Sequence, residues 1–208
     1  NYAREVMQLF SIGLYQLDQN GDLVLNGGQP VETYGPSDIV GLSRVFTGFS
    51  WAGCSNTSTN CFNGGGTQSP NREVMPMQAF PQFHSVLEKT FLGTTIPANA
   101  TPNPMGDLNI ALDTLFNHQN VGPFIGRQLI QRLVTSNPSA AYVGRVAAAF
   151  NTGRYVSPPP GLYTVGTGQR GDLMATVAAI ILDPEARTPL AGDPGKVREP
   201  ILRLAQWM

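Results

Sequence analysis

Charged side chains are scarce in this sequence. Lys, Arg, Asp and Glu make up 13% of its 208 residues, about half the share usual in a globular domain. With 13 basic and 14 acidic side chains the formal charge is -1, so the chain carries no positive footprint for nucleic acid or anionic lipid. The longest apolar run, Val177 to Leu182, falls far short of the roughly 20 residues that a membrane helix needs. Histidine is limited to His84 and His118, too few for a His-rich metal site. The sequence therefore predicts no nucleic-acid partner, no membrane span, no metal and no cofactor.

Cysteine occurs twice, as Cys54 and Cys61, in a Ser/Thr/Asn/Gly-rich loop rather than on an apolar stripe. A local disulfide is the leading expectation. In the chain-entropy account it stabilises by roughly 2.5 kcal/mol, by restricting the unfolded loop, and it implies an oxidising compartment. Two unpaired thiols and a zinc site remain open alternatives, although no further His or Cys stands nearby at ligand spacing.

What is abundant is glycine and proline, 23 and 17 residues, which punctuate a series of helical periodicities. Tyr2, Val6, Leu9 and Phe10 recur on one face of a first helix that stops by Gly13. Leu14–Leu17 and Leu23–Leu25 flank Asn20-Gly21, a pair suited to a tight hairpin turn. Pro36-Ser37-Asp38 reads as the N-cap of a second helix carrying Ile39, Leu42 and Phe46. From Trp51 to Gln78 no period is sustained, which marks a long surface loop. Later helices are marked by Leu108, Leu112, Leu115 and Phe116; by Phe124, Ile125, Leu129 and Leu133; by Val143, Val146, Ala147 and Phe150 behind a Ser139 cap; and, after Pro158-Pro159-Pro160, by Leu173, Val177, Ile180 and Ile181. Short connectors favour antiparallel neighbours. The expected fold is mainly α, a multi-helix bundle-like domain with one small β-hairpin and long Gly/Pro/Ser-rich loops, spanning 1–208 as a single domain.

Several motifs resemble known sites without meeting their requirements. Gly166-Thr167-Gly168-Gln169-Arg170-Gly171 matches the spacing of a dinucleotide fingerprint. No second strand or acidic residue follows at the required place, so a Gly-rich linker is expected. Asp18-Gln19-Asn20-Gly21-Asp22 has its Gly two places early for a calcium loop. Gly48 to Gly53 is one residue too long for a nucleophile elbow, and Gly192 to Lys196 lacks phosphate-loop spacing. His118, at a helix end, suits a capping role. His84 lies in an irregular aromatic stretch near Lys89, where an imidazole tuned by a neighbouring charge is a candidate acid or base; a packed structural role is its alternative. Arg4 and Glu5 on the first helix form either a solvated edge or part of an internal network with Arg44, Arg127 or Arg132.

Five stretches, taken together, resemble a family. Asn1-Tyr2-Ala3-Arg4-Glu5-Val6-Met7-Gln8-Leu9-Phe10 with Ile12-Gly13 is similar to the signature helix of the bacterial domain of unknown function 1800. Asp38 to Trp51 with Arg44 and Phe46-Thr47-Gly48 agrees, as do Phe83-His84 through Lys89-Thr90-Phe91-Leu92-Gly93 and Leu115-Phe116-Asn117-His118 through Arg127-Gln128-Leu129. Asp172 to Arg187 completes the order. The resemblance implies large, mostly helical, often exported bacterial proteins without an established activity. It also implies that this chain is their C-terminal portion, with the N-terminal part of the same protein as a missing partner. A protein of phosphatase- or sulfatase-like fold is a further implied partner, and the periplasm or exterior the implied location. Where many members follow the histidine with Asp, this sequence has Ser85.

Two functions follow as expectations. The first is a scaffold or binding module for a surface or periplasmic partner. The second is a hydrolase-like or metal-assisted enzyme with Glu5, His84 and Lys89 as catalytic groups and Arg4 or Arg44 holding an anion, which requires those groups to converge in one cleft.

Overall fold

A computed structural model of the chain describes residues 1–65, 69–159, 161–188, 191–192 and 195–208. Pro160, and two residues within the Gly192 to Lys196 stretch, lie outside the described residues. In chain order come helix α1 (Tyr2–Gln8), strands β1 (Leu25–Asn26) and β2 (Gln29–Pro30), α2 (Pro36–Val45), β3 (Phe49–Ser50), α3 (Thr59–Phe62), β4 (Gln78–Ala79) and a 3-10 turn at Pro81–Phe83. Strands β5 (Lys89–Phe91) and β6 (Thr94–Ile96) lead into α4 (Pro104–Asn117), α5 (Val121–Leu133) and α6 (Ala140–Thr152). The chain then forms β7 (Tyr155–Val156), β8 (Thr164–Val165), α7 (Leu173–Ile181), α8 (Pro184–Arg187) and α9 (Pro200–Trp207).

The protein is helix-rich, as the periodicities predict, but its β content differs from the single hairpin expected. Among the described residues four two-stranded antiparallel ladders form, β1–β2, β3–β4, β5–β6 and β7–β8. At Asn20-Gly21 an isolated bridge, Leu17 to Leu23, stands in place of a ladder. The reason is local: the Asp18 carboxylate accepts from the amides of Asn20 and Asp22, closing a side-chain turn that competes with strand pairing. No helix of the described residues is long and apolar enough to cross a membrane.

By its internal contacts the chain divides into two compact units. The first comprises Asn1–Leu9 and Glu32–His118, the second Phe10–Val31 and Gln119–Met208.

In the first unit α2 lies on β5, and Gly41 permits the approach. A Cβ there would stand 1.8 Å from the Thr90 carbonyl oxygen. Gly35, not Ser37, caps α2; Pro36 takes the first helical position and Asp38 reaches back to the Gly35 amide at 2.8 Å. The other Asp38 oxygen accepts from Leu92 N at 2.7 Å, holding the β5–β6 turn in which Leu92 adopts φ +48°. The long loop is closed by the Cys54–Cys61 disulfide, with Cα atoms 6.4 Å apart. Its short helix α3 sets Phe62 against Phe80 and Phe83, with ring centroids 5.4 and 4.4 Å away. Those contacts anchor the 3-10 turn that ends at His84.

In the second unit α5, α6 and α7 pack around Ile130, Tyr142, Val143, Val146, Ala179 and Ile180. Gly122 and Gly126 face α6, where added Cβ atoms would meet Asn151 and Val146 at 3.1 Å. The buried Tyr142 hydroxyl donates to the Ile180 carbonyl at 2.5 Å, and burial, with the charges of Asp183 and Glu185, pushes that hydroxyl far up from its ordinary value. Asn120, fully buried, accepts from Leu17 N and donates to the carbonyls of Ile12 and Tyr15. The Gly166–Gly171 stretch is a packed turn rather than a free linker. Gly168 N and Gly171 N donate to the carbonyls of Gly153 and Phe150 at the end of α6, and β8 pairs antiparallel with β7, which is not the parallel arrangement of a dinucleotide site.

A buried His–Asp–Lys cluster as the candidate functional site

Three segments of the first unit converge on one carboxylate. The 3-10 turn ends on His84, whose amide donates to the Pro81 carbonyl. Strand β5 alternates in, out, in, so the pleat turns Lys89 and Phe91 inward and leaves Thr90 outside. Asp107 sits in the first turn of α4 on the same face as Ala111 and Leu115, the buried stripe of that helix. His84 Nε2 lies 3.0 Å and Lys89 Nζ 2.8 Å from Asp107 Oδ2. The side chains of His84 and Lys89 are 0% and 3% exposed, that of Asp107 11%.

Further bonds fix each member. His84 Nδ1 lies 2.8 Å from the Thr47 carbonyl oxygen, and Lys89 Nζ donates to the Leu87 carbonyl at 3.1 Å. Thr47 Oγ1 accepts from Ser85 N and donates to the Arg44 carbonyl. Gly48 lets this turn close on the histidine, since a Cβ there would stand 2.8 Å from His84 N.

The protonation of Asp107 follows from its donors. Burial alone would push the Asp107 carboxyl upward, but hydrogen bonds from His84 and Lys89, and then their charges, outweigh it and hold the group below the ordinary carboxylate range. An ionised carboxylate and a carbonyl oxygen only accept. Each ring nitrogen of His84 thus meets a protein oxygen, Thr47 O at Nδ1 and Asp107 Oδ2 at Nε2.

On one side of the cluster opens a cavity of about 260 Å³, with Ser85, Lys89, Asn99, Thr101, Asn103 and Asp107 among its walls. Of the residues singled out from sequence, the structure brings His84 and Lys89 together. Glu5 and Arg4 are exposed on α1, and no hydrogen bond or ion pair links Glu5 to the cluster among the described residues. Arg44 is half-buried and donates to the Glu88 carbonyl at 2.6 Å. Arg127 donates to the Gly21 carbonyl and Arg132 pairs with Glu199. His118 takes the C-cap position of α4. Among the described residues no group of three or more His, Cys, Asp or Glu could hold a metal ion. The carboxylate that sequence reasoning missed is Asp107, and its signal was present: an acid on the stripe that also carries Ala111 and Leu115, in a chain with few acids to spare.

The model of the family described as "Protein of unknown function (DUF1800)" matches residues 1–208. The chain belongs to this family. The DUF1800 match thus takes in every residue of the cluster and of the cavity wall, and it carries no activity with it. No curated protein and no solved structure matches the chain.

Proposed function

We propose that this DUF1800 chain is an exported binding module for a surface or periplasmic partner, rather than a proton-transfer enzyme. The observation that carries the reading is that both ring nitrogens of His84 are engaged within the protein, by Thr47 O and Asp107 Oδ2. A general base must present a free nitrogen within hydrogen-bond reach of the proton it removes, and this histidine presents none. Its bonds suit a structural pin that joins the end of α2, the 3-10 turn and α4. The Cys54–Cys61 disulfide supports an oxidising location. A protein of phosphatase- or sulfatase-like fold, and the N-terminal part of the same protein, are the partners that the family resemblance suggests.

One observation favours the hydrolase-like alternative: two of its three nominated groups, His84 and Lys89, do meet beside a cavity. The decisive experiment compares the wild type with His84→Ala on a panel of ester, phosphate and glycoside substrates, with circular dichroism to confirm folding. A binding module shows no His84-dependent turnover and a lower Tm in the variant. Turnover abolished by the substitution in a folded protein overturns the reading.

A further inference from the structure

The walls of the cavity beside Lys89 are unevenly supplied with hydrogen-bonding groups. Asn99 Oδ1 accepts from Thr101 N at 3.0 Å and Asn103 Oδ1 from Gly106 N at 3.2 Å. Both asparagine oxygens are thereby used by local backbone, while both amide nitrogens, each a double donor, keep their protons. Ser85 Oγ accepts weakly from Leu87 N and retains its own hydrogen. Lys89 has placed two of its three protons, on Asp107 Oδ2 and the Leu87 carbonyl. Lys89 itself forms part of the cavity wall. Against these donors stands one open charged acceptor, Asp107 Oδ1.

We propose that this cavity is the receptor for a carboxylate group on a small molecule, taken by the third proton of the Lys89 ammonium and the spare amides of Asn99 and Asn103. The proposal deepens the binding reading above and rests on it for its biological sense. Three arguments set the ligand class. Among the side chains of the wall donors exceed acceptors, so the complement is an acceptor-rich group. The carboxylate of Asp107 in the wall disfavours a dianion such as phosphate more than a monoanion. At about 260 Å³ the cavity lies just below the usual range for drug-sized ligands, roughly 300–1,000 Å³, which restricts the occupant to a compact acid. A buried ammonium also binds an anion more strongly than an exposed one, because water screens it less.

The test is an NMR titration of the whole chain with sodium acetate, and separately with inorganic phosphate, at constant ionic strength. Acetate should give saturable shifts confined to residues 85–107, with phosphate weaker. Lys89→Met removes the charge but strips Asp107 of a partner and can unfold the unit, so Asn103→Asp is the informative variant. Aspartate caps a helix as well as asparagine does, yet it replaces two donors with a negative charge. It should leave Tm unchanged and weaken acetate by at least about tenfold, equivalent to 1.4 kcal/mol. Non-saturable acetate shifts, tighter binding of phosphate, or an Asn103→Asp protein that binds acetate as before each overturn the proposal. Acetate binding needs no partner and no turnover, so its failure leaves the binding-module reading standing, and His84-dependent turnover would defeat that reading without touching the acetate result.

Discussion

Asp107 decides the energetics of the candidate site at the residue scale. Its carboxylate joins the buried side chains of His84 and Lys89, and removing a single partner of a buried ion pair typically costs 3–5 kcal/mol, because the remaining charge is left uncompensated. Asp107→Asn keeps the shape and drops the charge, and should lower unfolding stability by about 3 kcal/mol, read by urea titration. The same group sets a pH dependence. Its carboxyl titrates lower in the folded than in the unfolded chain, so its stabilisation is complete above the ordinary carboxylate value of about 4. It is lost as pH falls through the depressed folded value, since the unfolded state then binds the extra proton. Acid unfolding of the wild type should therefore steepen below about pH 4, and Asp107→Asn should flatten that limb.

At the scale of elements, the positions of helices α2, α4, α5, α6 and α7 are legible in the sequence, whereas their buried faces are legible only in part. Val143, Val146, Ala147 and Phe150 are buried on α6 as the period predicts. Elsewhere the large apolar residues mislead. Leu9 and Phe10 just beyond α1, Leu112 and Phe116 on α4, and Val177 and Ile181 on α7 are exposed, while Ala3, Ala111, Ala175, Gly122 and Gly126 turn inward. Period finding weights bulk, but two backbones approach closely only where the side chains between them are small. Gly41 is the sharpest case. Its missing Cβ is what allows α2 to rest against the Thr90 carbonyl, so Gly41→Ala must part helix from strand and should cost about 3 kcal/mol, measured as a fall in the urea midpoint at unchanged m-value. The Cys54–Cys61 pairing was readable from the composition of its loop. The consequence of that pairing, Phe62 fixed beneath the turn that carries His84, depends on contacts distant in sequence and was not.

Taken whole, the molecule combines low charge with many outward apolar side chains, among them Tyr2, Met174, Ile201 and Trp207. With a sequence pI of about 6.1, little net repulsion keeps copies apart near that pH. Light scattering should report the greatest association near pH 6 and a marked decline by about pH 8, where the net charge has grown more negative. An association that is flat across this range would mean that charge does not limit solubility here. The candidate site was only half visible from sequence for a related reason. His84 and Lys89 attract notice as rare titratable residues, but the acid that joins them lies 23 and 18 positions further along the chain, a separation at which spacing carries no information about contact.

The linkage of His84 to Thr47 on one side and Asp107 on the other shelters its ring N–H from water. Imidazole protons held in this way escape rapid exchange with water and resonate far downfield of the amide envelope, in a window where a chain with two histidines has almost nothing else. A single proton spectrum can therefore report whether the three segments of the first unit are assembled, and whether a ligand in the adjoining cavity has disturbed them, without any isotope label or knowledge of the natural partner.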